Sequence, residues 1–184
     1  MNVVDAINAR HSIRKFLPKK IPEKIVKEIL EAGRLAPSAC NGQPTRFVLI
    51  KSKELRDACL KEKVFAQNWV CKAPLVIVYC ADKKDSLQER SGLLERLQKP
   101  VYFKPGKDWT EIDVSISSAF TVLRATELGL GSCYVGLIDE AKARKTLKIP
   151  SAWEVLFALV LGYPGKKPGR HDRKQLKEFI LKKE

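Results

Sequence analysis

The stretch "VSISSAFTVL", Val114–Leu123, carries no charge on any face. It sits inside a helical pattern that runs from Ile112 to Leu128. A helix without a polar face has to be covered all round. In a chain of 184 residues one domain rarely supplies that much cover for a single helix. The stretch therefore reads as the core of a dimer or as the central helix of a monomer, and the other elements have to be arranged around it.

Downstream, "GLGSCYVGL" at 129–137 ends this helix at Gly129 and starts a strand. "DEAKARKTLKI" predicts a short helix, and "WEVLFALVLGYP" a last buried strand. Upstream, "RFVLIKS" and "APLVIVYCAD" are short, apolar, β-branched runs, the pattern of buried strands. A charged helical stretch, Lys53 to Val64, lies between them. Pro22–Arg34, "PEKIVKEILEAGR", places apolar residues at 25, 26, 29, 30 and 33, which is helical spacing with a proline in the first turn. The following "APSACNGQPTR" is rich in turn residues and reads as a loop. Lys83–Asp108 is the least regular part and reads as a helical excursion and loop over the body of the domain, the kind of long connection that often serves as a lid. The mixed order predicts one domain over residues 1–184, three-layered or α+β.

Composition narrows the function classes. Hydrophobic residues make up 45% of the chain, too many for a disordered one. No apolar run approaches the roughly 18 residues of a membrane span. The start "MNVVDAINAR" has an early Asp and no apolar h-region, so no signal peptide is expected. Five cysteines, an odd number without a Cys-x-x-Cys, read as reduced thiols of a cytoplasmic protein. With two histidines and no ligand-like cluster around them, no metal site is expected. The net charge of +14 attracts polyanions. It is compatible with a nucleic-acid-binding module, with a site for a phosphorylated small molecule, or with a solvated Lys-rich surface. Against the first, no helix-turn-helix or zinc pattern occurs, and acidic residues accompany the basic ones in most segments. Gly-x-Gly-x-x-Gly after a strand, a Walker-type loop and a Gly-x-Ser-x-Gly elbow are also missing. Cys40 has no plausible base outside the tail except His11.

Four segments look unlike plain core or plain surface: "RHSIRKF" (10–16), "PSACNGQP" (37–44), "GLGSCYVG" (129–136) and "RKQL" (173–176). Each mixes small residues with donors at an element end. Arg10 and Arg14, four apart, form either a cation clamp or part of a basic surface.

Together these segments resemble the nitroreductase family of FMN-dependent enzymes. The resemblance rests on Arg10-His11-Ser12-Ile13-Arg14-Lys15-Phe16, on Ala36-Pro37-Ser38-Ala39-Cys40-Asn41-Gly42-Gln43-Pro44, on Gly129-Leu130-Gly131-Ser132-Cys133-Tyr134-Val135-Gly136, and on Gly162-Tyr163-Pro164. They occur in the family's order along the whole chain.

The resemblance implies that Arg10 grips the FMN phosphate, for which a guanidinium fork is well shaped. A basic tail residue would stand opposite, Arg173 first and Lys174 as the fallback; the plain alternative is one more charge in a basic tail. Arg14 is implied to reach the pyrimidine edge of the ring, where a fixed cation favours the reduced flavin. Ser12 and His11 would add hydrogen bonds, His11 by its ring or only by its backbone. Pro37, Ser38, Ala39 and Asn41 are implied to contact FMN from the other subunit, although the same residues favour an ordinary turn. Cys133, Tyr134, Val135 and Gly136 would run beneath the ring, their backbone N–H groups directed at it. Gln67 is a further candidate for the pyrimidine edge, or else a solvent-facing residue. Tyr102, Phe103 and Trp109 are candidates for the substrate side, since aromatic groups suit flat substrates. No catalytic side chain is named, because hydride transfer from NAD(P)H needs no protein acid or base. The implied fold is a mixed, mostly antiparallel sheet flanked by helices, in an intertwined homodimer. The implied activity passes electrons from NAD(P)H through FMN to a nitroaromatic, a quinone or another flavin. A flavin-binding protein without turnover is the other reading of the same residues.

Overall fold

Strand β2, Leu75–Asp82, is the centre of the sheet. The structure is a computed structural model and describes residues 1–85, 109–166, 169 and 172–181. Strand β1 (Thr45–Ile50) and strand β4 (Trp153–Gly162) both pair with β2 antiparallel, and β3 (Gly131–Val135) pairs with β4, giving the order β1-β2-β4-β3. All these pairings are antiparallel, and among the described residues parallel geometry enters only as an isolated bridge between Ser12 and Ser132. The continuous apolar run Leu75–Ala81 is buried on both sides, as befits a central strand.

Strand alternation sends Val76, Val78 and Cys80 to one side and Leu75, Ile77, Tyr79 and Ala81 to the other. The first set packs with Cys59 of helix α3 (Lys53–Lys61) and with Ala143 of a short helix at Glu140–Leu147. The second packs under Val26 and Ile29 of helix α2 (Glu23–Arg34) and Val114, Val122 and Ala125 of helix α4 (Trp109–Glu127). With the Glu140–Leu147 helix as α5, the result is helices, sheet, helices: the three layers expected. Helix α1 (Val3–Ala9) precedes them, started by a reciprocal cap between Asn2 and Asp5.

Helix α4 is covered by its own chain on one side only. Val114, Ser117, Ser118, Thr121, Val122 and Ala125 are buried, while Ile112 and Phe120 stay 39% and 43% exposed. The buried hydroxyls are engaged: Ser117 Oγ donates to the Gly33 carbonyl at 2.8 Å, and Thr121 Oγ1 to the Ser117 carbonyl at 3.2 Å. No helix among the described residues is long and apolar enough to cross a membrane.

On the α2/α4 side an aromatic ladder crosses all four strands. Phe47 meets Tyr79 edge-on at 5.3 Å, Tyr79 stacks on Phe157 at 5.0 Å, and Phe157 meets Tyr134 at 5.7 Å. The Tyr79 hydroxyl is buried without a hydrogen-bond partner among the described residues. Thr121 is its nearest candidate partner, but Thr121 Oγ1, which donates to the Ser117 carbonyl, is not in hydrogen-bonding geometry to accept from the phenol. A buried unsatisfied hydroxyl costs about 1 kcal/mol or more. Tyr79→Phe is therefore expected to raise the melting temperature by roughly 2–4 °C. A fall on calorimetry would show that the hydroxyl is bonded.

Candidate functional site

The segment Arg10–Phe16 lies along the outer edge of β3. Ser12 bridges Ser132, and the Ile13 N–H donates to the Ser132 carbonyl at 2.8 Å. Further on, Phe16 bridges Pro164, the Leu17 N–H donates to the Tyr163 carbonyl at 2.9 Å, and the Gly165 N–H to the Lys15 carbonyl at 2.9 Å. Of the four stretches that carry the resemblance, three, Arg10–Phe16, Gly129–Gly136 and Gly162–Pro164, are thus joined by backbone hydrogen bonds. Two glycines permit the close approach: a Cβ on Gly131 would meet Ile13 Cγ1 at 2.6 Å, and one on Gly162 would meet Phe16 Cδ1 at 2.7 Å.

Next to this junction a cavity of about 470 Å³ is lined by Ile7, Asn8, Arg10, His11, Ser12, Arg14 and Arg173. Three arginines from opposite ends of the chain line it together, and no carboxylate is among the described lining residues. Arg10 and Arg14 therefore serve one cavity and are not scattered surface charge. Arg173 joins them from the tail, whereas Lys174 is exposed and does not line the cavity. His11 turns its ring back onto the end of α1, with Nδ1 2.8 Å from the Ala9 carbonyl. A carbonyl only accepts, so Nδ1 is the donor in this bond. Ile7 and Asn8 were not read from the sequence as lining residues. Their signal was their place on the last turn of α1, just before Arg10.

Strand β3 supplies a second kind of donor. Ser132 directs its backbone outward to Ile13, so Tyr134, two residues on in the same strand, does the same. Cys133 and Val135 direct their backbones inward to β4 and their side chains into the core. Of 133–135, Tyr134 alone can therefore offer an N–H at the outer edge, and Gly136 lies just past the strand end. The Tyr134 hydroxyl lies 2.9 Å from Ser118 Oγ on α4. Burial pushes its phenol pKa up, against the opposing pull of the Ser118 hydrogen bond and the nearby Arg10 guanidinium.

The loop Ala36–Pro44 stands apart from this cavity within one chain. It contains a 3₁₀ turn at Ala39–Asn41. Pro37, Ser38 and Gln43 line a smaller space of about 150 Å³ with Asp113 and Ser117. Cys40 is exposed, while Cys59, Cys71, Cys80 and Cys133 are buried. Burial pushes the Cys59 thiol up to about 11 and the Cys80 thiol to about 12, which makes them poor nucleophiles. Gln67 is exposed, precedes the 3₁₀ turn Asn68–Lys72, and lines none of these cavities. Trp109 opens α4 and is 40% exposed. Tyr102 and Phe103 lie outside the described residues.

Residues 7–163 match the Nitroreductase family. The chain belongs to the nitroreductase family. It is 30% identical to a protein called NADH dehydrogenase from Thermus thermophilus, over 97% of this chain and 96% of that one. A nitroreductase family protein from Clostridium difficile superposes with a TM-score of 0.79 at 29% identity, covering 98% of each chain. The NADPH:FMN oxidoreductase from Vibrio harveyi, solved with NAD⁺, superposes with a TM-score of 0.79 at 25% identity, over 100% of this chain and 78% of that one. The nitroreductase fold is therefore the frame in which the arginine-lined cavity and the β3 edge stand.

Proposed function

We propose that this protein is an FMN-dependent oxidoreductase that takes hydride from NAD(P)H and passes electrons to an acceptor such as a nitroaromatic or a quinone. The convergence of Arg10, Arg14 and Arg173 on one cavity, with no carboxylate among its described lining residues, carries the reading. A phosphate with two negative charges is what such a set of guanidinium groups suits. The names of relatives support it: FMN reductase [NAD(P)H] from Bacillus subtilis, at 24% identity over 93% of this chain, and NADPH-flavin oxidoreductase from Vibrio harveyi, at 28% over 91%.

The residues present fit FMN. Arg10 and Arg173 would hold the phosphate end, with Ser12 and His11 along the polar chain. Arg14 would provide a fixed cation for the ring edge. The outward N–H of Tyr134 would face the ring, with Gly136 just past the strand end, and Ser118 fixes the Tyr134 side chain beside it. When bound, FMN supplies the two-electron chemistry, and the protein supplies binding, orientation and electrostatics. No protein acid or base is assigned.

The working form in this reading is a cytoplasmic homodimer. Val3, Val4 and Ile7 of α1 and Ile112 and Phe120 of α4 are all exposed in one chain. A second copy laid on this face would bury them and bring the Pro37–Asn41 loop of one subunit to the cofactor of the other. The test is direct. Purified protein should be yellow, run at twice the mass of 20.8 kDa in light scattering, and bleach anaerobically on addition of NADH or NADPH. Protein that is colourless and takes up no added FMN would overturn the reading. Yellow protein that does not bleach would reduce it to flavin binding without turnover.

A further inference from the structure

Asp113 is a buried carboxylate, 5% exposed, at the edge of the uncharged stretch of α4. Its Oδ1 accepts the Ala39 N–H at 2.9 Å, across 74 positions of sequence. The loop it touches has an unusual backbone: Cys40, Asn41 and Gln43 adopt φ values of 50°, 56° and 53°. Left-handed backbone at non-glycine residues costs of order 1 kcal/mol each and persists only where the surroundings impose it.

Most of the bonds that impose it are internal to the loop. The Asn41 N–H donates to the Ser38 carbonyl at 3.0 Å, the Gly42 N–H to the Ala39 carbonyl at 2.9 Å, and the Gln43 N–H to Ser38 Oγ at 2.9 Å. Bonds to the body of the domain hold the loop at both ends. At its far end Arg46 Nη1 donates to the Gln43 carbonyl at 3.0 Å, and the same guanidinium is ion-paired with Asp82 at 3.3 Å and with Asp85. The Asp82 N–H also donates to the Pro44 carbonyl there, at 2.8 Å. At its near end stands Asp113. The loop is a strained turn held between two anchors, one on the rim of the sheet and one on the central helix.

We propose that Asp113 is a positioning residue for the cofactor. By holding the Ala39 N–H, it keeps Pro37–Asn41 in the shape the ligand meets, so that binding does not have to order the loop. The inference rests on the functional reading above, since it takes this loop as part of the cofactor site. It adds a residue that acts on the loop and not on the ligand itself, through its bond to the Ala39 N–H.

Two variants separate positioning from plain support. Asp113→Asn keeps an oxygen that can accept the Ala39 N–H. Asp113→Leu keeps the branching at Cγ and removes the acceptor. Asn is expected to bind FMN within about 3-fold of wild type and Leu at least 10-fold more weakly, with an altered visible circular dichroism of the bound flavin. Hydrogen exchange in the FMN-free protein gives a reading independent of affinity. The Ala39 amide is expected to exchange slowly in wild type and Asn, and at least 10-fold faster in Leu. Wild-type affinity and dichroism in folded Asp113→Leu would overturn the proposal. So would fast exchange at Ala39 in the FMN-free wild-type protein, a measurement that stands even if the Leu variant fails to fold. If wild-type protein binds no FMN, the functional reading fails, while the exchange experiment still tests the anchor.

Discussion

Arg10→Ala is expected to weaken FMN retention by roughly 10- to 100-fold. A hydrogen bond to a charged partner contributes about 1.5–3 kcal/mol, and each 1.4 kcal/mol is tenfold in affinity. Arg10 shares its cavity with Arg14 and Arg173, and the described lining residues include no carboxylate to neutralise them. Removing one of three guanidinium groups removes part of a positive field as well as a bond. The loss should therefore be largest at low salt and shrink as ionic strength rises, because screening already weakens the wild-type site. Fluorescence titration of FMN into FMN-free protein at two salt concentrations measures both effects. An unchanged dissociation constant would remove Arg10 from the site.

Gly33→Val is expected to cost about 3 kcal/mol of stability, a fall of roughly 6–12 °C in melting temperature. Gly33 lies within helix α2 where it meets α4, and its carbonyl accepts from Ser117 Oγ at 2.8 Å. A Cβ there would run into Thr121 Oγ1 and come within 3.1 Å of Phe47 Cζ and 3.2 Å of Ser117 Oγ. Helix propensity argues the other way, since glycine inside a helix is about 0.5–1 kcal/mol worse than alanine. Gly33→Ala decides between the two: propensity predicts a gain, the helix contact a loss of about 1 kcal/mol. A gain in urea unfolding would show that α2 and α4 have room to separate.

Much of the fold was legible because it is local. Apolar spacing marked α2, the charged stretch from Lys53 marked α3, and the β-branched runs marked β1 and β2 within a few residues of where they lie. The β2 run was recognisable as a central strand because both of its faces are apolar. The reading of α4 was only partly sufficient. Absence of charge foretold burial, but whether cover comes from the same chain or from another copy depends on what packs against each face. Within one chain, Phe120 and Ile112 are left out.

The site divides in the same way. Arg10, Ser12 and Arg14 could be read as a group because they are consecutive and the motif is local. Arg173 could be ranked above Lys174 only by resemblance, and its place beside Arg10 emerges from the path of the tail. Which of Cys133–Gly136 offers a backbone N–H follows from strand alternation, which needs the pairing partner of β3 to be known. Asp113 was passed over because nothing near it in sequence explains it; its partner, Ala39, is 74 positions away.

By itself, then, the sequence determined the elements, their order and the family to which the chain belongs, because periodicity and short motifs are properties of neighbouring residues. Only the tertiary structure decided which charges share a cavity, which side of α4 its own chain covers and which carboxylate holds the strained loop. Those depend on contacts between distant residues, and a contact's geometry is set by packing of whole elements, not by spacing along the chain.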